Sequence, residues 1–371
     1  MTTNMAGKNL RSPAKVAVIH TSPDKVIQDI GKVMRLAEYE NHLPKECETL
    51  LKINISWQHY YPGCSTTPWQ LDGVIQTLLQ DGYKDLIPAH NGTVVVDPIE
   101  GAFNNRHTAV ENLHNLHPIY LDIPPTEWVD YKPAGNMLVL DDVYPDGIKI
   151  PACFAGKNII HLPTVKTHVF TTMTGAMKNA FGGLLHRRRH WTHSVIHETL
   201  VDLLQIQKEL HTGIFAVMDG TLAGDGPGPR AMRWHEKNVL IASADQVAID
   251  AVAAKMMGLD PMELKFIQLA DDLGLGVGRI KDIEIVGEDI ALVNWNFSVS
   301  ENTFASKGQK LIYWGPLKPI ERFLLRSFLA PLAFFASNLY HNEYWLRFVG
   351  RKRIKAAMDT GWGKLFKHYS T

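Results

Sequence analysis

The sequence predicts an α/β protein, with a mostly parallel sheet or sheets, flanking helices and a C-terminal helical basic tail. Two observations predict the α/β part and a third predicts the tail. Short runs rich in Val, Ile and Leu alternate with longer stretches whose apolar residues recur at helical spacing, the pattern of parallel βαβ units. The alternation holds in both halves, so the core covers residues 15–300, either as two lobes (about 15–150 and 151–300) or as one continuous sheet. From residue 310 to 371 the chain turns basic and aromatic.

Residues 1–14, polar and containing Pro13, read as a loose arm. They lack the apolar stretch that directs export, which predicts a cytoplasmic protein. Residues 16–19 form the first strand, 24–40 a helix and 50–55 the next strand. Over 68–82, Leu71, Val74, Ile75, Leu78 and Leu79 follow i, i+3, i+4 spacing and give a helix. A third strand, 85–89, runs into His90-Asn91-Gly92. A helix at 107–116, a strand at 118–122, a turn at Pro124-Pro125 and a hairpin over 137–150 follow. Residues 158–162 form a buried strand, and 192–210 a long amphipathic helix stopped by Gly213. Residues 214–218 form a strand that ends at Asp219-Gly220. A strand at 239–243, a helix at 246–257 ending at Gly258, and a strand at 283–286 complete the core.

Composition excludes several classes. The 371 residues are 45% hydrophobic and 20% charged, enough for a real core and against general disorder. A formal net charge of zero argues against a nucleic-acid binder. That balance hides an asymmetry: residues 310–371 hold 11 Lys/Arg and 3 Asp/Glu, whereas the rest holds 27 and 35. Cys47, Cys64 and Cys153 are not at metal-ligand spacing, so neither an iron–sulfur cluster nor a disulfide framework is expected.

The densest chemistry lies in 161–197, beginning at the carboxyl end of a strand, where open parallel sheets gather ligands. Lys166, Thr167, His168, Thr174, Lys178 and Asn179 follow one another among glycines there, and the two lysines are the only formal charges between Lys157 and His186. Hydroxyls, amides and ammonium groups in such a run suit an anion. His186, His190, His193 and His197 then fall on one face if a single helix carries them, with Arg187, Arg188 and Arg189 between. Two readings stay open: a divalent metal on His193 and His197, or an anion docked by the cations, which the arginines favour. Asp219 and Asp225, the latter in a glycine loop, are candidates to orient an imidazole or hold a divalent ion. Lys52 and Asn54 share one side of their strand and point toward the same cleft.

Taken together, Lys52-Ile53-Asn54, Leu162-Pro163-Thr164-Val165-Lys166-Thr167-His168, Gly175-Ala176-Met177-Lys178-Asn179, Asp219-Gly220, Gly226-Pro227-Gly228-Pro229 and Asp245-Gln246-Val247-Ala248-Ile249-Asp250 resemble the family called "domain of unknown function 362", over about residues 15–290. The family is uncharacterised, so the resemblance implies an α/β core and no particular reaction. Many members carry cysteine-rich ferredoxin segments that this chain lacks. The family's Lys-Pro-Asn stands here as Lys52-Ile53-Asn54.

Two functions are expected as alternatives. One is an enzyme doing acid/base chemistry on a small anionic substrate, carboxylate or phosphate. Lys52, Asn54, Lys166, Thr174, Lys178, Asn179 and Arg187 would bind that substrate, and His168, His193, Asp219 and Asp225 would be catalytic. The other is a non-catalytic binder of an anionic metabolite or cofactor, attached to a membrane surface. In the tail, the apolar run 323–340 is short of the ~20 residues of a spanning helix and is broken by Arg326 and Pro331. Residues 318–355 therefore either lie on an anionic membrane surface or pack on the core.

Overall fold

The computed structural model describes residues 14–93, 96–185, 187–326, 335 and 338–370. Most of the expected N-terminal arm and most of the apolar run 323–340 fall outside them, as do the side chains of Arg187 and Arg188.

In chain order the strands are β1 (Ala14–His20), β2 (Thr49–Ile53), β3 (Leu86–His90), β4 (Ile119–Tyr120), β5 (Trp128–Tyr131), β6 (Ile148–Pro151), β7 (Asn158–Leu162), β8 (Thr164–His168), β9 (Thr172–Thr174), β10 (Gly213–Asp225), β11 (Arg233–Ser243) and β12 (Ile283–Gly287). Strands of both halves lie in one mixed, mostly parallel sheet of order β12-β1-β11-β10-β7-β2-β3-β4, with β8 and β9 branching from β10. The run from β10 through β7, β2 and β3 to β4 is parallel, whereas β11 is antiparallel to both β10 and β1.

The interior strands are covered on both faces. Leu50, Ile159, Ala216 and Met218 pack to one side with the helices Ile196–Leu210 and Gln246–Met257. Leu51, Ile160, Phe215 and Val217 pack to the other, beneath Val26–Leu36 and Pro68–Gln80. Adjacent residues of one strand thus serve opposite cores, which is why these strands read as continuous apolar runs. Thr67 and Gln70 form a reciprocal cap at the start of Pro68–Gln80. Asp245 caps Gln246–Met257 through the N–H groups of Val247 and Ala248.

Three local expectations change. The helix expected over 192–210 begins at Ile196, preceded by tight turns over Arg187–Val195. The strand expected to end at Asp219 continues to Asp225, because β11 pairs along its whole outer half. The hairpin expected over 137–150 is replaced by β6 pairing with β5, while Asp202 holds the N–H groups of Leu138, Val139 and Leu140 between them.

The tail packs on the body at its far end. Trp345 meets Tyr61 and Trp57 at ring distances of 5.3 and 6.1 Å, and Trp362 meets Trp69 at 5.1 Å. Among the described residues, no helix is long and apolar enough to cross a membrane.

Candidate functional site

From β2 the chain steps outward to β3 and β4, and from β7 it steps the other way to β10 and β11. The direction of winding reverses between β2 and β7, and crevices form at the carboxyl ends of strands at such a point. A cavity of about 860 Å³ opens there, with Asn54, Asn91, His168, Lys178, Asn179 and His193 among its walls.

Its floor contains two lysine–asparagine pairs. Lys52, 1% exposed, donates to the Ile53 carbonyl and to Asn91 Oδ1, both at 2.6 Å. Lys166, fully buried, donates to Asn54 Oδ1 (2.7 Å), the Cys64 carbonyl (2.6 Å) and Thr164 Oγ1 (2.8 Å), which uses all three of its protons. An ammonium only donates, so each lysine fixes which amide atom turns toward it. The oxygens of Asn54 and Asn91 face the lysines, which leaves at the cavity wall the Asn54 NH₂ and the one Asn91 N–H that does not donate to the Gly92 carbonyl (3.0 Å). Two positive charges behind the wall are thereby presented as polarised amides in front. Close approach requires glycine at two neighbours: a Cβ on Gly182 would stand 2.7 Å from the Asn91 amide, and Gly183, at φ +110°, would put one 2.9 Å from Lys52 Cε.

Lys178 is the contrast. Among the described residues its ammonium has no hydrogen-bond or ion-pair partner, and it lies 5.0 Å from the centre of the Phe181 ring. The loop that carries it is pinned from behind, where Asp250 accepts from Ala176 N (2.6 Å) and Met177 N (3.1 Å). Burial pushes the Lys178 ammonium down to about 7, and the charges of Lys166 and Arg189 push the same way. Burial also brings Lys52 down to about 7, with the Arg189 charge adding, and Lys166 down to about 8. Such groups are short of negative charge.

Of the histidines lining the cavity, His168 and His193 are held in opposite tautomers. His168 Nδ1 accepts from the N–H groups of Phe170 (3.1 Å) and Thr171 (3.4 Å), so the neutral ring carries its proton on Nε2. His193 Nδ1 donates to the His190 carbonyl at 3.0 Å, so its Nε2 carries a lone pair. Burial first, then the nearby cations, holds His168 well below the usual imidazole value and His193 down to about 3. An anion bound between them would raise both.

The structure separates the remaining candidates. Asp219 lies within β10 rather than at its end. It accepts from Thr67 Oγ1, from Trp69 Nε1 at 3.1 Å and from Thr221 N at 2.6 Å, and does not line the cavity. Asp225 is bound by Arg233 (2.9 Å) and by Ser298 N (2.6 Å), away from the cavity. Thr174 and Asn179 line the walls. The Arg187 side chain lies outside the described residues. His197 stacks on Phe266, because the tight turns before Ile196 break the single face that the histidine spacing implied. Among the described residues, no three of His, Cys, Asp or Glu gather as they must to hold a metal ion.

Sequence reasoning named Arg189 only as one of three clustered arginines, and it missed Arg230 and the tail residues. Arg189 donates to the Gly92 carbonyl and stands 3.7 Å from Asp122. Arg230 donates to the Ser56 carbonyl at 3.1 Å and has no carboxylate partner among the described residues. Thr303, Ser306 and Tyr313 close the cavity from above, together with Asn338 and His341. The one signal for these was the Gly-Pro-Gly-Pro loop ahead of Arg230. Nothing local marks a residue more than 250 positions from Asn54 as its neighbour across a cavity.

Several buried polar atoms on these walls lack a hydrogen-bond partner among the described residues: Gln58 Oε1, Thr174 Oγ1, Asn179 Oδ1 and Asn338 Oδ1. Buried polar atoms are rarely left so, and those that are point to a missing partner.

The family described as "Domain of unknown function (DUF362)" matches residues 49–255. A thylakoid-associated protein of Synechocystis sp. is 30% identical over 120 residues, which is 32% of this chain and 37% of that protein. The match therefore spans little more than a third of that relative's length. No solved structure matches the chain.

Proposed function

The chain belongs to the DUF362 family, and from that premise we propose that its cavity binds a small anionic molecule through carboxylate or phosphate oxygens and that the His168–His193 pair moves a proton on it. The observation that carries this reading is Lys178, an ammonium at the cavity wall without an anionic or hydrogen-bonding partner among the described residues. Arg230 and the NH₂ groups of Asn54 and Asn91 add donors for the same oxygens, and Lys52 and Lys166 add charge from behind. The histidines supply a complementary pair, an N–H donor on His168 and a lone pair on His193. Asp219 and Asp225, committed to other partners, take no part.

Native mass spectrometry of the full chain, with inorganic phosphate as a soluble probe, tests both halves. Wild type is expected to carry an anionic molecule and to bind phosphate, and Lys178→Gln to lose both by about 10–100-fold. His193→Gln is expected to carry a different isomer of the same mass, the substrate it no longer converts, which chromatography of the released molecule separates. Equal phosphate affinity in wild type and Lys178→Gln removes the anion site. The same molecule at the same occupancy in wild type and His193→Gln removes the chemistry and leaves a binder.

The second reading, attachment to an anionic membrane surface, is supported by side chains left in water. Trp314, Ile320, Phe323, Tyr344 and Phe348 are exposed, within a segment rich in Lys and Arg. The thylakoid-associated relative agrees with such a place. The chain would then work on the cytoplasmic side as a peripheral protein. Flotation with anionic but not neutral vesicles is the expected outcome, and the absence of flotation with either removes the idea.

A further inference from the structure

Over the cavity, the roof turns polar side chains and the Tyr313 ring inward and leaves other large apolar side chains in water. A surface helix of a globular protein turns its apolar face inward and its polar face to water. In Phe304–Tyr313, Ser306 is buried against the cavity, next to the capping residue Thr303, and Gln309 lines it from the same side. Phe304 is 84% exposed and Leu311 50% exposed on the outside. The other roof segment repeats the pattern. Asn338 and His341 face the cavity, while Phe335 is 66% and Leu339 52% exposed. Lys307, Lys318, Arg347, Arg351 and Lys352 are exposed along the same part of the chain, Lys318 and Arg347 beside Glu321 and Glu343.

We infer that the roof is the surface that meets an anionic bilayer, and that the cavity beneath it takes the head group of an amphiphile drawn from that bilayer. This rests on the anion-binding reading of the cavity and deepens it. The two polarities of the roof match the two ends of such a ligand. Its outer face offers apolar rings and cations to lipid chains and phosphates. Its inner face offers polar groups to a head group.

The chemistry of the head group follows from what the walls lack. Lys178 and Arg230 need anionic oxygen. Gln58 Oε1, Asn179 Oδ1 and Asn338 Oδ1 are acceptors that need donors. The Asn179 amide cannot be turned round to relieve this, because its Nδ2 donates to the Lys52 carbonyl at 2.9 Å. The head group therefore carries hydroxyls as well as a phosphate or carboxylate, and a phosphatidylglycerol-like lipid has both.

The test uses the full chain, vesicles of phosphatidylcholine with or without phosphatidylglycerol, and soluble glycerol phosphate. After flotation, the protein is released with salt and its lipid counted by mass spectrometry. Wild type is expected to float with phosphatidylglycerol vesicles and to leave them carrying that lipid. Phe304→Ser combined with Leu311→Ser is expected to lose flotation and lipid by at least about tenfold while binding glycerol phosphate as wild type does. Lys178→Gln is expected to float as wild type does but to leave without lipid. If the double variant does not fold, Leu339→Ser carries the same expectation from the second roof segment. Wild type that floats yet leaves lipid-free overturns the inference and keeps peripheral attachment, as does one that binds only the soluble phosphate. Roof variants that float unchanged also overturn it. A wild type that never floats removes attachment and the inference together, and one that binds neither phosphate ligand removes the anion site itself.

Discussion

At the floor of the cavity, two buried lysines have partners for their protons: Lys166 uses all three, on Asn54, Cys64 and Thr164, and Lys52 is held by Asn91 and its neighbour's carbonyl. At the roof, polar side chains and the Tyr313 ring face inward, Asn338 Oδ1 has no partner among the described residues, and Phe304, Leu311, Phe335 and Leu339 face out. The floor lysines are satisfied within the chain, whereas the roof shows polar and apolar groups without partners among the described residues. Lys178 stands between them, carried by a pinned loop yet itself unpaired among the described residues. Stability should reside in the first region and ligand response in the second.

The largest expected effect tests the floor. Lys166→Ala takes the ammonium from the buried Cys64 carbonyl and Thr164 Oγ1, leaves Asn54 Oδ1 with Ser56 Oγ alone and opens a gap beside them, at a cost of about 3–5 kcal/mol. Lys178→Gln should change stability by no more than about 0.5 kcal/mol or raise it, since it removes a half-buried charge that has no ion pair among the described residues. Urea unfolding of both variants measures this, and equal losses would erase the distinction between the two lysines.

The next effect is a pH dependence whose sign the lysines fix. Their folded-state values of about 7 for Lys52 and Lys178, and about 8 for Lys166, lie below that of the unfolded chain. From about pH 7 to about pH 10 the unfolded chain therefore holds more protons, and stability rises with pH, by at most about 1.4 kcal/mol per unit for each lysine. Anion affinity runs the other way and falls as pH climbs through the same window, because the ammonium form is the one that binds. Unfolding and phosphate titrations at several pH values should show opposite slopes, each shallower in Lys178→Gln. A flat phosphate profile would mean that these amines do not face the ligand.

The smallest effect belongs to the roof. Leu311→Ser, on a half-exposed side chain, should cost within about 0.5 kcal/mol, whereas Trp362→Ala, in the core beneath Pro68–Gln80, should cost about 3–5 kcal/mol. Thermal unfolding separates the two, and a large loss at Leu311 would make the roof an ordinary packed element.

The α/β class was legible because βαβ alternation is a local property: each strand and each helix declares its own period. The gathering of cationic and amide side chains over 161–182 was legible for the same reason, since Lys166, His168, Lys178 and Asn179 stand close together in the chain. The positions of Asp219 and Asp225 were not. Asp219 looked like a strand end, but pairing with β11 carries the strand onward, and that pairing depends on residues 233–243. The single histidine face failed where the winding tightens before Ile196.

The sequence by itself determined which segments become strands and helices, and which stretch gathers cationic and amide side chains, because spacing and residue type act over a few residues. The tertiary structure decided which of those side chains share a cavity. The reversal of winding between β2 and β7 brings Asn54 and Lys166 to 2.7 Å across 112 positions, and the return of the tail sets Ser306 and Asn338 over them. Contacts of that separation are fixed by how layers pack, and no local pattern encodes them.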